Sequence, residues 1–311
     1  MVKGLIQGLH HVTSFSGSAR NNIRFYTEIL GLQFVKKTVN YDSPDILHLY
    51  YGDKTGNPGS VATFFPFSGI TRGKAGNSSV TSTMFSIGAD SIGFWTNRLK
   101  THQVDFRGPF TRFDEEEYIY FDDFDGIQVE LVANAADLRP GCFTAGIPAG
   151  HGIKGLYSLT LSYASSEPTL EFLTRHMNHL LLKSDSDRSR LYSKENQPGN
   201  YIDLLSRPSM PNHLPGAGTV HHLAFQTSDE TSQEKIRTHL SRAGFQPSPV
   251  MDRQYFKSIY FREPGGVLME IATAGPGFLI DESPDELGEN LKLPHWLEAK
   301  RNDIEAALGM T

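Results

Sequence analysis

Apolar and polar positions alternate in four short runs: "LHHVTSF" from residue 9, "STMFSIG" from 82, "LYSLTLS" from 156 and "VHHLAFQ" from 220. Alternation of this kind marks a half-buried strand. The period then lengthens to that of a helix. In "SARNNIRFYTEIL" it places Ile23, Tyr26, Ile29 and Leu30 on one face, with Ser18 positioned to cap the start and Gly31 to end the turn. "TSQEKIRTHLSRAGF" repeats the arrangement with Ile236, Leu240 and Gly244.

The closing segments repeat as well. "SIYFREPGGVLME", ending at Glu270, aligns without a gap on "YIYFDDFDGIQVE", ending at Glu130. "NPGSVATF", ending at Phe64, and "QPGNYIDL", ending at Leu204, hold the same strand-turn-strand place. The repeating unit is therefore a strand, a helix and three strands, four times over. The units span 7–67, 78–134, 153–206 and 218–274, joined by the Gly/Pro/Ser-rich stretches "SGITRGKAGNSS", "NAADLRPGCFTAGIPAGHG" and "RPSMPNHLPGAG". A tail over 275–311 carries an amphipathic helix around Trp296 to Leu308. The expected class is α+β.

Composition narrows the partners. The 311 residues are 38% hydrophobic and 21% charged, with a formal charge of −6 and no Lys/Arg block, so neither nucleic acid nor an anionic membrane has a basic face to bind. Small molecules are the expected partners. Cys142 is the only cysteine, the apolar run in "MVKGLIQG" is too short for a signal peptide, and no segment has the length of a membrane span. A cytoplasmic protein is the expectation, and self-association into a homo-oligomer is left open.

Neighbouring side chains of a strand point to opposite faces, so one histidine of each His-His pair faces any given cavity. In "VHHLAFQ" the bulky set His221, Leu223 and Phe225 suits the packed face, while His222, Ala224 and Gln226 leave room. The same register pairs His11 with Thr13 and puts His10 with Val12 on the packed side. Comparing repeats, the opening-strand histidine occurs in units one and four only, with Ser158 in unit three. The closing glutamate occurs in units two and four only, with Phe64 and Leu204 at the other two places. One set of two imidazoles and a carboxylate remains: His11, His222 and Glu270. That donor set with open positions suits non-haem Fe(II) and oxygen chemistry. Glu130 lacks histidine partners and reads as structural. His48, His102, His151, His176 and His179 are placed on helices or loops, and "FDDFDG" reads as a hairpin turn rather than a Ca²⁺ loop.

Four such units resemble the vicinal oxygen chelate superfamily, whose βαβββ modules pair into half-open barrels around a divalent metal. Its members include extradiol dioxygenases, glyoxalase I and metal-free antibiotic-binding proteins. "LHHVT", "HHLAF" and "PGGVLME" resemble the hydroquinone ring-cleaving group within it, such as 2,6-dichlorohydroquinone 1,2-dioxygenases. That resemblance implies Fe²⁺ held by His11, His222 and Glu270, an active-site set of His10, Thr13, His221, Arg253 and Tyr260, and an aromatic diol and O₂ as substrates. Catechol-cleaving relatives draw their ligands from units three and four, so the unit-one histidine points to para-diols. A glyoxalase-type isomerase, with four ligands, and a metal-free binder of aromatic antibiotics are the competing readings. Three ligands can meet one ion only if units one and four share the metal barrel, leaving units two and three as a metal-free barrel around Ser158 and Glu130.

Overall fold

The structure, a computed structural model of the chain, describes residues 2, 4–142, 144–193 and 199–310; Gln197 and Pro198 of the third closing segment and Phe143 of the middle connection lie outside them. Four βαβββ units follow one another. The first comprises β1 (Leu9–Ser16), α1 (Ala19–Ile23, continued by a π-helical stretch, Arg24–Ile29), β2 (Gln33–Asn40), β3 (Ser43–Gly52) and β4 (Val61–Pro66). The second comprises β5 (Ser79–Ile87), α2 (Ile92–Thr101), β6 (Phe106–Arg112), β7 (Glu116–Asp122) and β8 (Gln128–Ala133). The third holds β9 (Gly155–Tyr163), α3 (Glu167–His176), β10 (His179–Asp185), β11 (Arg188–Ser193) and β12 (Tyr201–Ser206). The fourth holds β13 (Thr219–Thr227), α4 (Glu230–Arg242), β14 (Met251–Asp252), β15 (Phe256–Arg262) and β16 (Leu268–Pro276).

Local chemistry sets the element ends. Ser18 accepts a hydrogen bond from the Asn21 amide, Asp229 accepts one from the Ser232 amide, and Gly31 and Gly244 take the positive φ that ends each helix. Asp123 Oδ1 accepts from the amides of Asp125, Gly126 and Ile127, which makes "FDDFDG" the tight turn between β7 and β8.

The strands form two curled eight-stranded sheets. One runs β14-β15-β16-β13-β1-β4-β3-β2 and takes all its strands from the first and last units; the other runs β10-β11-β12-β9-β5-β8-β7-β6 and is built from the middle two. The seam of the first is the antiparallel pair β1 and β13, and of the second β5 and β9. One face of each sheet carries Leu9, Val12, Leu223 and Phe225, or Phe85 and Leu159, into a common core with Phe25, Tyr26, Trp95, Phe172 and Ile236 of the helices. The opposite faces are left as two cups, the half-open barrels of the α+β expectation.

The pairing corrects three details of the sequence reading. In β4 and β12 it is Thr63 and Asp203, opposite Thr13 and Thr160, that face the cups as Glu270 does, whereas Phe64 and Leu204 enter the common core. A one-residue slip in a hairpin moves every side chain to the other face. His48 lies in β3 and His179 begins β10, so neither sits on a helix or loop. The tail helix is shorter than expected: α5 (Arg301–Ala307) follows a 3₁₀ turn, Glu298–Lys300, and Trp296 precedes both. The tail is tied down by buried Lys36, which bonds Asp281 at 2.6 Å and also reaches Glu282, while Leu291, Leu293 and Leu297 pack on Val39. Among the described residues no helix is long and apolar enough to cross a membrane.

Candidate metal centre

The seam of the first sheet is irregular at both histidine pairs. Leu9 stands opposite Phe225 and His11 opposite Ala224, so His10 is an extra residue; Thr13 stands opposite His222 and Ser14 opposite Val220, so His221 is extra too. Each is a β-bulge, which breaks alternation and re-aims a side chain. Alternation alone puts His10 and His221 beneath the sheet. The bulges instead set each beside its neighbour: His10 Nδ1 lies 2.9 Å from His11 Nδ1, and His221 Nδ1 lies 2.8 Å from His222 Nδ1.

With their Nδ1 atoms so engaged, His11 and His222 turn Nε2 toward one another and toward Glu270. The three atoms form a triangle: His11 Nε2 to His222 Nε2 is 3.3 Å, His11 Nε2 to Glu270 Oε2 is 3.4 Å, and His222 Nε2 to Glu270 Oε2 is 2.9 Å. All three residues are buried. Ser258 donates to the other carboxylate oxygen, Oε1, and thereby aims Oε2.

This donor set fits a first-row metal. Ligands roughly 2.1 Å from an ion stand about 3.0 Å apart at a right angle and about 3.4 Å apart at the tetrahedral angle, the range the triangle spans. Glu270 Oε2 is fully buried and, although close to both imidazoles, is aligned for a hydrogen bond with no described residue. Burial would raise the Glu270 pKa, but His11 and His222 overcome it and hold the carboxyl well below the usual range. A buried anion of that kind needs a cation. Burial, with His11 next in weight, drives His10 down to about 3, so His10 stays neutral and can accept the His11 Nδ1–H.

The triad forms one wall of a cavity of about 250 Å³. Arg253 lines it, with Nε donating to the Tyr260 hydroxyl at 3.2 Å and Nη2 to Asp42 at 2.9 Å across the mouth; Nη1 has no partner among the described residues. Tyr260 stands opposite Glu270 on the neighbouring strand, its ring 5.7 Å from that of His222. His221 lies at the rim against Phe15, at 5.0 Å. Thr13 is fully buried beside His222. Of the eight residues singled out in the sequence, six line the cavity, while His10 stands behind His11 and Thr13 is buried beside His222.

Among the further residues lining the cavity that the sequence did not reveal are His48 and Tyr50 on β3. His48 Nε2 bonds Thr63 Oγ1 at 2.8 Å and Nδ1 bonds the Tyr50 hydroxyl at 2.8 Å, with the ring between those of Tyr50 and Phe65. Their signal was weak because β3 opens with Ser-Pro-Asp and does not alternate cleanly.

The second cup carries different chemistry at the same places. Ser158 and Ser82 replace the two imidazoles, and Glu130 replaces Glu270. Arg112 binds Glu130 and Glu116, Arg190 binds Glu116 and Asp203, and Arg188 binds Asp203 at 2.6 Å. Guanidinium groups supply the positive charge there.

A family model for the Glyoxalase/Bleomycin resistance protein/Dioxygenase superfamily matches residues 8–131 and 158–271. The chain belongs to this superfamily. Among its relatives, "Putative ring-cleaving dioxygenase MhqE" of Bacillus subtilis (strain 168) is 38% identical over 298 residues, covering 96% of this chain and 97% of that protein. The chlorohydroquinone/hydroquinone 1,2-dioxygenase of Sphingobium indicum is 30% identical over 312 residues, covering 96% and 95%. The crystal structure of a "putative dioxygenase" from Bacillus subtilis subsp. subtilis str. 168 superposes with a TM-score of 0.93 at 36% identity, covering 97% of this chain and 96% of that one. Glyoxalase I from Zea mays shares the superfamily fold, with a TM-score of 0.66 at 17% identity, covering 86% of this chain and 92% of that one. Relatives that cover nearly the whole chain are thus named as dioxygenases.

Proposed function

We propose that this superfamily member is a ferrous-iron-dependent dioxygenase that opens the ring of hydroquinone-type aromatic diols. The observation that carries the reading is the convergence of His11, His222 and Glu270 on one wall of the cavity, in a chain 30% identical to a hydroquinone dioxygenase. Two imidazoles and one carboxylate with open positions on the cavity side match the facial triad of Fe(II) oxygenases. An iron ion held there would supply open positions for the diol oxygen and for O₂, and an electron path for a reaction otherwise slow with triplet oxygen.

The chain's own residues do the rest. His10 and His221 fix the rings of His11 and His222 through Nδ1, so that both Nε2 lone pairs face the cup. The cavity exceeds the roughly 150 Å³ that accepts benzene, leaving room for a substituted single ring. Phe65 and Phe256 flank that slot. Arg253 Nη1 is placed to hold the negative charge that develops on a ring oxygen, and Tyr260, bonded to Arg253 Nε, can pass a proton at its hydroxyl.

The isomerase reading requires a fourth protein ligand. By the internal symmetry that ligand would come from position 63, where the chain has a threonine already bonded to Thr13 and His48. Protein reconstituted anaerobically with iron is expected to consume O₂ with hydroquinone faster than with catechol. Zinc or nickel at the site, or oxygen uptake with neither diol, would overturn the reading.

A further inference from the structure

Four side chains of the metal cup form one directed chain of hydrogen bonds. Thr63 Oγ1 donates to Thr13 Oγ1 at 2.8 Å, so its lone pair must accept from His48 Nε2, also at 2.8 Å. His48 is then the Nε2–H tautomer, and its Nδ1 accepts from the Tyr50 hydroxyl at 2.8 Å. Every link is thereby assigned: Tyr50 to His48, His48 to Thr63, Thr63 to Thr13. The hydrogen of Thr13 itself has no acceptor among the described residues, and Thr13 sits opposite His222 on the neighbouring strand. At the other end, Tyr50 lines the cavity. One end of the chain can therefore receive a proton from a hydroxyl in the cavity, and the other, Thr13, lies buried beside His222 of the triad.

The other cup provides an internal control. Opposite Tyr50 stands Thr63, and opposite Arg190 stands Asp203, so the places of Tyr50 and Thr63 are held there by Arg190 and Asp203; Arg188 takes the place of His48. Those three lock together as ions, with Arg188 also donating to Thr160 at 3.2 Å. Only the cup with the imidazole-carboxylate triad keeps neutral, proton-exchanging groups at these positions.

The inference rests on the dioxygenase reading above. Ring opening by O₂ breaks one ring C–C bond, adds both oxygen atoms, and passes four electrons from the diol to O₂ with no net gain or loss of protons. With the product written as the free acid, a proton leaving a ring hydroxyl can therefore be returned to an inserted oxygen within the site. We propose that Tyr50, His48, Thr63 and Thr13 are the relay that returns it, with His48 as the positioning residue that gives the relay its direction. The substrate proton moves to Tyr50, the Tyr50 proton to His48 Nδ1, the His48 Nε2 proton to Thr63, that of Thr63 to Thr13, and that of Thr13 to the inserted oxygen. Water entering after product release resets the chain by the reverse path. Burial, followed by the neighbouring His11 and His222, pushes the His48 pKa well down, in keeping with a ring that changes tautomer without becoming charged.

Two measurements test the relay. Histidine ¹⁵N shifts of the metal-free protein, assigned with His48→Gln, are expected to show His48 neutral and protonated at Nε2. With iron and hydroquinone, Thr63→Val is expected to lower kcat by about 10- to 100-fold and to raise the solvent deuterium isotope effect on kcat. KM and iron content should not move, and Thr63→Ser should restore kcat. A His48 ring protonated at Nδ1, or Thr63→Val with unchanged kcat and isotope effect, would overturn the relay. No oxygen uptake by the wild type would instead overturn the dioxygenase reading, and the nitrogen spectrum separates the two because it needs neither iron nor substrate.

Discussion

Glu270 and Glu130 stand at equivalent points of the two cups, each opposite a tyrosine, Tyr260 or Tyr120, on the neighbouring strand, yet Glu270 faces two imidazoles and Glu130 faces the Arg112 guanidinium. The same problem, a buried carboxylate, is met once by a pair of imidazoles and once by an internal cation.

Glu130→Gln should therefore leave iron content unchanged, because its partners Arg112 and Ser82 belong to the other cup. Breaking one partner of a buried ion pair should lower the unfolding free energy by about 3 kcal/mol in denaturant titration. Loss of iron from this variant would contradict the division between cups.

His10→Ala removes the bond that orients His11 and keeps every proposed ligand. Iron affinity, measured by chelator competition under anaerobic conditions, is expected to weaken about 10- to 100-fold rather than vanish. Unchanged affinity would mean that the His10–His11 contact does not set the ligand geometry.

These contrasts show how much of the site was legible beforehand. His11, His222 and Glu270 stood out because a period of two and a fourfold repeat allow each position to be compared with its counterparts. The orientation of His10 and His221 did not, since a bulge adds a residue without changing the apolar pattern. Thr63 was hidden behind Phe64 by one residue of hairpin register, and His48 by a strand whose polar face is buried in the cavity.

The second cup should show itself in the acid limb of stability. Burial would raise the Asp203 pKa, but Arg190 and Arg188 lower it from 3.8 to about 2. A depressed carboxyl pKa stabilises the fold fully above pH 3.8, and that contribution, about 2 kcal/mol, is lost as pH falls toward 2. The gap in unfolding free energy between wild type and Asp203→Asn should therefore narrow between pH 4 and pH 2. A constant gap would remove Asp203 from the ionic lock.

Arg253→Met should reduce kcat/KM for hydroquinone by about 10²- to 10³-fold, with iron content unchanged. Asp42→Asn should change it far less, because the Asp42 carboxylate is largely exposed and such pairs contribute little. Equal losses in both variants, by oxygen electrode, would show that the ion pair across the mouth, rather than the free Nη1, carries the effect.

The most direct measurement is metal content after anaerobic purification from iron-supplied cells, for the wild type and for His11→Ala, His222→Ala and Glu270→Ala. The triad predicts about one iron per wild-type chain and essentially none in each variant. A wild type that holds no iron, or a Glu270→Ala protein that retains it in full, would contradict the site.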